Sequence, residues 1–301
     1  MKKFAEGQFG DAISVSGNMA YPGYIIQGSE RSVMIDAGIN MLGPLYLKTL
    51  KAILSTEVGP DVLLITHSHY DHLGAAPYLK RQMPHLKIGG SPRIEDLLKK
   101  ASVLERMNAL SEIQRALFGD IVGNEDVSLE PLTFTYKLKE GDTLSLGNLT
   151  CRVFETPGHT RDSLSYYIPE LEALFPGESI GVPQGHEGED VQVVFLSSYE
   201  DYVNSLKKLA PLQAKIIGMG HGWVFTGEDA LDYFPRSLEA TENYRRLIET
   251  YLDKTNGDVP KAIEDIVVKE YDEKGTIFQE RNAYITNLTA QVQHIASLNG
   301  G

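Results

Sequence analysis

The first part of the chain alternates short apolar runs with glycine, proline and serine, which is the pattern of β-strands joined by turns. Three such runs, AISVSG, GYIIQG and RSVMIDAG, lie between positions 12 and 38. A helical pattern follows around residues 42–56, and DVLLIT at 61–66 is then apolar at nearly every position. Such a continuous run is typical of a strand that is buried on both faces of a sheet.

The same succession of β-rich and helical patterns occurs a second time along the chain. The stretch GAAPYLKRQM, which starts at Gly74, predicts a helix with Pro77 in its first turn, where a missing N–H is tolerated. The later helical patterns lie at 94–117 and 198–209, and the β-rich segments lie at 87–90, 132–175 and 214–220. Two strand-rich halves, each followed by helices, predict two sheets packed face to face with helices on the outside.

The pattern changes beyond Trp223, where strand-like runs stop. Three successive helical patterns follow, separated by NGDVP and DEKGT, at residues 235–254, 258–273 and 279–298. These helices form either a cap on the main domain or an element for oligomerisation, so a homodimer is one arrangement that stays open. We predict an α/β domain over residues 1–230 and a helical extension over 231–301 that caps it.

The excess of acidic residues limits the kinds of partner that we expect the protein to bind. The chain of 301 residues has 28 Lys+Arg and 41 Asp+Glu, which gives a formal net charge of −13. A nucleic-acid binder would carry a basic surface that follows the phosphates, and an anionic membrane would repel an acidic protein. We therefore expect a small-molecule substrate, with no nucleic acid and no membrane as partner.

Cysteine usage and the first residues bear on location. Cys151 is the single cysteine, which excludes an intramolecular disulfide and a cysteine-based zinc cluster. The opening residues, MKKFAEGQFG, lack the apolar core of a secretory signal. No stretch approaches the roughly 20 apolar residues of a membrane span. These observations predict a cytoplasmic protein.

Three of the chain's eight histidines lie in one short segment, HSHYDH at 67–72. The segment follows the apolar run DVLLIT and precedes a glycine, and such a strand exit is where α/β folds build functional sites. Residues two apart on an extended loop project to the same side, so His67 and His69 can bind one metal ion together. Asp71 and His72 lie past the turn and can serve a second ion beside the first.

Further residues with ligand chemistry follow the same rule of position. His159 in ETPGHTRDS, Glu178 in LFPGESIG and His221 in IIGMGHGW each come directly after a predicted strand. Imidazole and carboxylate groups are the usual protein ligands of zinc, iron and similar divalent metals. Several residues that obey one rule favour a shared metal site over isolated structural histidines.

The motif H-x-H-x-D-H, followed by isolated histidine, acidic and histidine residues in that order, resembles the metallo-β-lactamase superfamily over about residues 10–225. The resemblance implies an αββα sandwich, of the α/β or α+β class, with two metal ions at one edge between the sheets. The helical tail is also similar to a capped subgroup that includes the quinolone-signal response thioesterase, in which C-terminal helices fold over the metal edge. One ion would be held by His67, His69 and His159, and the other by Asp71, His72 and His221. The bridging position, usually aspartate in this family, is Glu178 here.

The resemblance also implies a chemistry. Two cations about 3.5–4 Å apart share a water and lower its pKa towards 7, which makes hydroxide available at neutral pH. We therefore expect a hydrolase of a small ester, thioester or lactone, with zinc as the first choice of metal and iron or manganese as alternatives. Asp71 and His72 are the expected catalytic residues, and Asp71 could orient the attacking water. Tyr70 and His186 are candidate substrate contacts.

Two other functions stay open at this stage. A regulatory or ligand-sensing protein could keep the metal site with weak hydrolase activity. A di-iron redox enzyme is the second alternative, although relatives of that kind usually carry H-x-E-x-D, whereas position 69 is histidine here.

Overall fold

The computed structural model describes residues 2–3, 7–9, 12–54, 59–185, 188–277 and 279–299. The strands are β1 (Lys2–Lys3), β2 (Gly7–Phe9), β3 (Ile13–Gly17), β4 (Pro22–Gln27), β5 (Ser32–Ile35), β6 (Val62–Leu64), β7 (Lys87–Gly90), β8 (Tyr136–Lys137), β9 (Thr143–Ser145), β10 (Thr150–Glu155), β11 (Leu164–Ile168), β12 (Ala173–Phe175), β13 (Val182–Gln184), β14 (Asp190–Gln192), β15 (Ile216–Gly218) and β16 (Trp223–Thr226). The α-helices are α1 (Gly43–Leu54), α2 (Tyr70–Leu73), α3 (Ala76–Gln82), α4 (Pro92–Leu98), α5 (Ala101–Glu112), α6 (Arg115–Val122), α7 (Tyr199–Leu209), α8 (Glu228–Lys254), α9 (Val259–Ile266) and α10 (Arg281–Asn299).

Two seven-stranded sheets form the centre of the molecule. The N-terminal sheet has the order β2-β3-β4-β5-β6-β7-β8, and the C-terminal sheet has the order β1-β16-β15-β12-β11-β10-β9. A separate hairpin pairs β13 with β14. Each half of the sequence thus contributes most of one sheet, as the hydrophobic pattern predicted.

The central strands β4, β5 and β6 of the N-terminal sheet are mostly apolar because both faces of the sheet are covered. Ile25 and Met34 are cross-strand partners on β4 and β5, and both pack into a core on the helical side. Their neighbours Ile26 and Val33 point the other way, into a core that also contains Val153 of β10. Because side chains alternate along a strand, one continuous apolar run supplies two cores.

Helices cover the outer face of each sheet. Tyr46 of α1, Leu79 of α3 and Ile94 of α4 belong to the core on the N-terminal sheet. The C-terminal sheet is covered by α7, α8, α9 and α10, whose buried side chains form one cluster with Ile217 of β15. The predicted four-layer αββα architecture is confirmed. Within the described residues, none of the helices combines the length and the hydropathy that a bilayer span requires.

The helical tail begins somewhat earlier than its sequence pattern indicated. Helix α8 starts at Glu228 and continues through Pro235, and a π-helical turn over Val267–Glu273 continues α9. The tail and the outer face of the C-terminal sheet share the same hydrophobic cluster. The division into domains at residue 230 stays a prediction.

Two segments differ from their sequence patterns. The helical pattern at 94–117 is divided among α4, α5 and α6. The backbone of Lys100 is extended, with φ −88° and ψ 115°, and separates α4 from α5, while a turn at Ile113 and Gln114 separates α5 from α6. The β-rich run LTFTYKL at 132–138 contributes only the two residues of β8 to the ladder. Leu132 and Phe134 of this run pack into the core on the helical side of the sheet instead.

The strand directions bring several strand ends to one edge of the sandwich. β5, β6 and β7 are parallel neighbours in the N-terminal sheet. In the C-terminal sheet, β10 and β12 are each antiparallel to β11, and β12 is parallel to β15, so β10, β12 and β15 run in one direction. The loops that follow β6, β10, β12 and β15 carry the ligand candidates predicted from the sequence.

Candidate metal centre

The loop between β6 and α2 presents the first two histidines. His69 has an extended backbone, with φ −70° and ψ 144°, and directly precedes the short helix α2. The Nε2 atom of His67 lies 3.2 Å from the Nδ1 atom of His69, so both rings face the same point. The predicted projection of His67 and His69 to one side of the loop is therefore what the structure shows.

A first group of ligand atoms forms where this loop meets the C-terminal sheet. Its members are His67, His69, His159 and Glu178, and one ligand atom from each lies within 4.8 Å of the others. The Nε2 atom of His159 is 3.0 Å from Nδ1 of His69 and 2.5 Å from Oε2 of Glu178. Residues from both sheets thus converge on one point.

A second group lies beside the first. Asp71, His72 and His221 offer ligand atoms that also lie within 4.8 Å of one another. The two Nε2 atoms of His72 and His221 are 3.3 Å apart, and Oδ2 of Asp71 is 3.7 Å from Nε2 of His221. The rings of His67 and His72, one from each group, have centroids only 4.1 Å apart.

Glu178 lies between the two groups and faces both. Its Oε2 atom approaches His159, while its Oε1 atom lies 3.1 Å from Nε2 of His221. The preceding residue, Gly177, has φ +57°, and a Cβ atom there would lie 2.9 Å from the side chain of Thr66. Glycine therefore allows the loop after β12 to approach the end of β6 closely enough for Glu178 to reach both groups.

In three of the histidines, the ring nitrogen that points away from the site, Nδ1, is hydrogen-bonded to a protein oxygen. Nδ1 of His159 donates to the carbonyl of Val194 at 2.6 Å, and Nδ1 of His221 donates to the carbonyl of Ala20. Nδ1 of His72 lies 2.9 Å from Oδ2 of Asp36. Because these oxygens can only accept, the Nδ1 atoms carry hydrogens, and this contact directs the Nε2 atom of each ring into the site.

Asp36 is a site residue that the sequence analysis missed. It is buried at the end of β5, and it accepts hydrogen bonds from the backbone N–H of Thr66 at 2.8 Å and from the Thr66 hydroxyl at 2.7 Å. It also orients His72. A signal was available, because Asp36 directly follows an apolar strand, as His159, Glu178 and His221 do.

Asp162 joins two loops of the site by hydrogen bonds. Its Oδ1 atom accepts from the backbone N–H of Ser68 at 3.1 Å and from the hydroxyl of Thr160 at 2.7 Å. Ser68 lies between the two motif histidines, and Thr160 follows His159. This buried carboxylate therefore fixes the loop of one sheet against the loop of the other.

The electrostatics favour the metal-binding protonation state at His67, His69 and Glu178 and oppose it at His159 and His221. Against the effect of burial, Glu178 raises the pKa of His159 and raises the pKa of His221 to about 9, so a cation competes with protons for these two rings. Burial, together with the adjacent imidazoles, holds the pKa of His67 well below its usual value and lowers the pKa of His69 to about 4. Burial alone would raise the pKa of Glu178, but His159 and His221 outweigh it and hold that pKa well below the usual range. Neutral imidazoles and an anionic carboxylate are the forms that coordinate metals.

The donor set as a whole fits divalent cations. Five imidazoles and two carboxylates offer nitrogen and oxygen atoms in two adjacent groups. Such mixed sets suit zinc, iron and manganese, whereas calcium and magnesium prefer oxygen alone.

The two predicted substrate contacts, Tyr70 and His186, stay predictions. Tyr70 is half-buried at the start of α2, and its hydroxyl is hydrogen-bonded to Gln114. Burial and the neighbouring Asp71 carboxylate raise the pKa of Tyr70 to about 12, so the hydroxyl keeps its proton at neutral pH. His186 lies outside the described residues.

An αββα sandwich that gathers histidines and carboxylates at one edge defines the metallo-beta-lactamase class of fold. The family model of the metallo-beta-lactamase superfamily matches residues 22–221, well over half of the chain, and the chain belongs to this superfamily.

Its relatives include proteins of several kinds. The metallo-beta-lactamase fold-containing protein ST1585 of Sulfurisphaera tokodaii is 25% identical over 225 residues, which cover 73% of this chain and 79% of the relative. The acyl-coenzyme A thioesterase MBLAC2 of Gallus gallus is 28% identical over 203 residues, which cover 65% of this chain and 69% of the relative. The solved structure of the metallo-beta-lactamase family protein TTHA1429 from Thermus thermophilus has a TM-score of 0.64 at 17% identity, covering 93% of this chain and 88% of that chain. This structural likeness shows the fold alone.

Replacing Asp36 with asparagine is expected to weaken metal binding and to lower turnover by about 10- to 100-fold, the usual effect of removing a partner of a metal ligand. Asparagine has one oxygen for three donors, so either Thr66 or His72 loses its acceptor. Metal titration of the metal-free variant measures the effect. Asp61→Asn is the matched control, because Asp61 accepts a backbone N–H at the other end of β6, 2.8 Å from Ser32. Equal losses in both variants would contradict the role of Asp36.

Proposed function

We propose that this protein is a metal-dependent hydrolase that cleaves thioesters, with small esters and lactones as related substrates. The observation that carries the proposal is the position of Glu178, whose two oxygens face histidines of both ligand groups. One cation would be held by His67, His69 and His159, and the other by Asp71, His72 and His221. Zinc is the first choice, before iron or manganese. The similarity to an acyl-coenzyme A thioesterase puts thioesters ahead of the other substrates.

Divalent cations bound in this site would lower the pKa of a water towards neutrality and polarise the carbonyl of the substrate. The side chains around them hold and orient the reacting groups. Asp71 is about a quarter exposed while His67 is buried, so the carboxylate of Asp71 lies on the side from which water and substrate enter. It can accept a hydrogen bond from the attacking water and direct a lone pair of that water at the carbonyl carbon.

The reaction balances without a further reactant. A carbon–oxygen bond forms between the water and the acyl carbon, and the carbon–sulfur bond breaks. One proton of the water stays on the new carboxylic acid or is released at neutral pH, and the other goes to the leaving thiolate. Asp71, the more exposed of the two carboxylates of the site, can carry a proton between these positions.

Covalent catalysis by the chain's one thiol does not compete with this proposal. Cys151 lies on β10 and is fully buried between the two sheets. Burial raises the pKa of the Cys151 thiol to about 12, so almost no thiolate is present at neutral pH. A water-based reaction at the histidine cluster is the alternative that the geometry favours.

Elemental analysis and a substrate panel test the proposal. Protein purified without added metal is expected to contain zinc, iron or manganese and to hydrolyse acetyl-N-acetylcysteamine, a simple thioester. Dialysis against a chelator should abolish this activity, and added metal should restore it. Esters, lactones and phosphodiesters in the same assay define the bond preference. Thioester hydrolysis that persists in metal-free protein would refute the proposal, and so would metal-loaded protein that cleaves no thioester, ester or lactone.

A further inference from the structure

Large apolar side chains are exposed at one side of the metal centre. Ile113 and Leu117 are each 75% exposed and Ile121 is 36% exposed. Leu117 and Ile121 lie one turn apart on α6, and Ile113 lies in the turn that joins α5 to α6. We call these three residues the apolar patch. A surface leucine by itself needs no explanation, but Leu117 and Ile121 share one face of α6, and Ile113 precedes them at the turn that leads into this helix.

The helix that carries the apolar patch is in contact with the second ligand group. Phe118 of α6 packs against Tyr21 with ring centroids 6.3 Å apart, and Tyr21 packs against His221 at the same centroid distance. The residue after Ile113, Gln114, is hydrogen-bonded to the hydroxyl of Tyr70. Residues next to the patch, Phe118 and Gln114, therefore contact Tyr21 and Tyr70, which adjoin His221 and Asp71.

The surroundings of the patch include three charged side chains, one of which is the exposed Asp120 next to Ile121. Glu112 and Arg115 flank Ile113 and form an ion pair with each other. Met19, which is 46% exposed, borders the site from another loop, because its carbonyl accepts a hydrogen bond from Gly222, the neighbour of His221. Apolar side chains thus lie on two sides of the approach to His221.

We propose that the apolar patch binds the hydrocarbon chain of a medium-chain acyl substrate while the thioester lies at the metal centre. This inference rests on the proposed function and names the substrate class of the same site. Leu117 and Ile121 are about 6 Å apart along the axis of α6, and Ile113 lies four residues before Leu117 at the preceding turn, so the patch is long enough for part of a medium-chain acyl group. A flexible chain that covers these side chains removes apolar surface from water on both partners.

Two other occupants fit the patch less well. A second copy of this chain would need about 800 Å² of buried surface per partner, whereas three aliphatic side chains offer on the order of 300 Å². The net charge of −13 also opposes self-association and opposes binding to an anionic membrane surface. The acyl chain requires only the area that is present and is tethered to the site by the thioester.

The test compares chain lengths in one assay. Wild-type protein is expected to hydrolyse decanoyl-N-acetylcysteamine with a kcat/KM at least about tenfold above that of the acetyl thioester. The double variant I113S/L117S should lose most of this advantage and keep the kcat/KM of the acetyl thioester. Both replaced side chains are largely exposed, so the fold is expected to tolerate them.

L298S is the matched control, because it removes an exposed aliphatic side chain near the far end of α10. It should leave both substrates unaffected. A wild-type protein without chain-length preference overturns the inference, and so does a double variant that keeps the preference. In either case hydrolysis of the acetyl thioester still supports the proposed function, so the two failures are distinguishable.

A binding measurement covers the case in which no thioester is cleaved. The non-hydrolysable thioether S-decyl-N-acetylcysteamine is titrated into the wild-type protein, the double variant and L298S by calorimetry. Saturable binding that is weakened about tenfold or more in I113S/L117S alone supports the inference. No binding to the wild type overturns it. Loss of a dimer in the double variant, or loss of its binding to neutral phosphatidylcholine vesicles, with thioether binding unchanged, also overturns it.

Discussion

Replacing His69 with alanine is expected to lower kcat for thioester hydrolysis by at least about 10³-fold, because it removes a ligand from the first group. His69 lies 3.2 Å from His67 and 3.0 Å from His159, so its loss opens the centre of this group. Removal of one hydrogen-bond donor of an oxyanion site already lowers turnover by about 10²- to 10³-fold. We expect removal of a metal ligand to lower turnover further. Steady-state kinetics with acetyl-N-acetylcysteamine measure the effect.

The control for this variant is His85→Ala. His85 is an exposed histidine in the turn before β7, away from both ligand groups, so its replacement should leave kinetics and metal content unchanged. Elemental analysis of both variants shows whether the loss of rate follows the loss of metal. A His69→Ala protein with full metal content and full turnover would place the reaction elsewhere in the molecule.

Replacing Glu178 with glutamine is expected to reduce metal content and to lower kcat by about 10²- to 10³-fold. Glutamine keeps the length of the side chain but has one oxygen and no charge. It cannot present an oxygen to His159 and to His221 at the same time, as the carboxylate does. The two ligand groups then have no carboxylate in common. We therefore expect metal binding to weaken more at one group than at the other.

Aspartate at this position gives a sharper comparison, since aspartate is the usual residue of the family. Glu178→Asp keeps the charge and withdraws the carboxylate by about one carbon–carbon bond, roughly 1.5 Å. The contacts of 2.5 Å and 3.1 Å to His159 and His221 cannot then both be kept, so we expect kcat to fall by about tenfold.

The control is Glu172→Gln, at the opposite end of β12, where Glu172 pairs with Lys215 at the surface. It should have no effect on kinetics or metal content. Full activity in both Glu178 variants would contradict a shared role for this carboxylate.

The sequence was informative about the site because each ligand candidate follows a strand. Residues at strand ends stay close to one edge of the sandwich, and the chain distance between them is irrelevant. His67 and His159 are 92 positions apart, and their rings have centroids 4.8 Å apart in the folded protein. The strand signal and the side-chain type predicted a shared site, and the resemblance to the superfamily supplied the division of the residues into two groups.

The supporting contacts were much harder to predict. Two of the three oxygens that hold the outward nitrogens belong to the backbone, at Val194 and Ala20, and a carbonyl has no sequence signature. Asp36 could have been found at the end of β5, but its role depends on the pairing of β5 with β6. The exposure of Leu117 likewise depends on how α6 is turned relative to the sheet, since a local apolar pattern normally predicts burial.

The origin of the ligands has a thermodynamic consequence. His67 and His69 come from a loop of the N-terminal sheet, whereas His159 and Glu178 come from loops of the C-terminal sheet. An ion coordinated by both pairs would act as a cross-link between the halves of the sandwich, and its binding free energy would add to the free energy of unfolding. The melting temperature of this protein would then follow the free metal concentration of its surroundings.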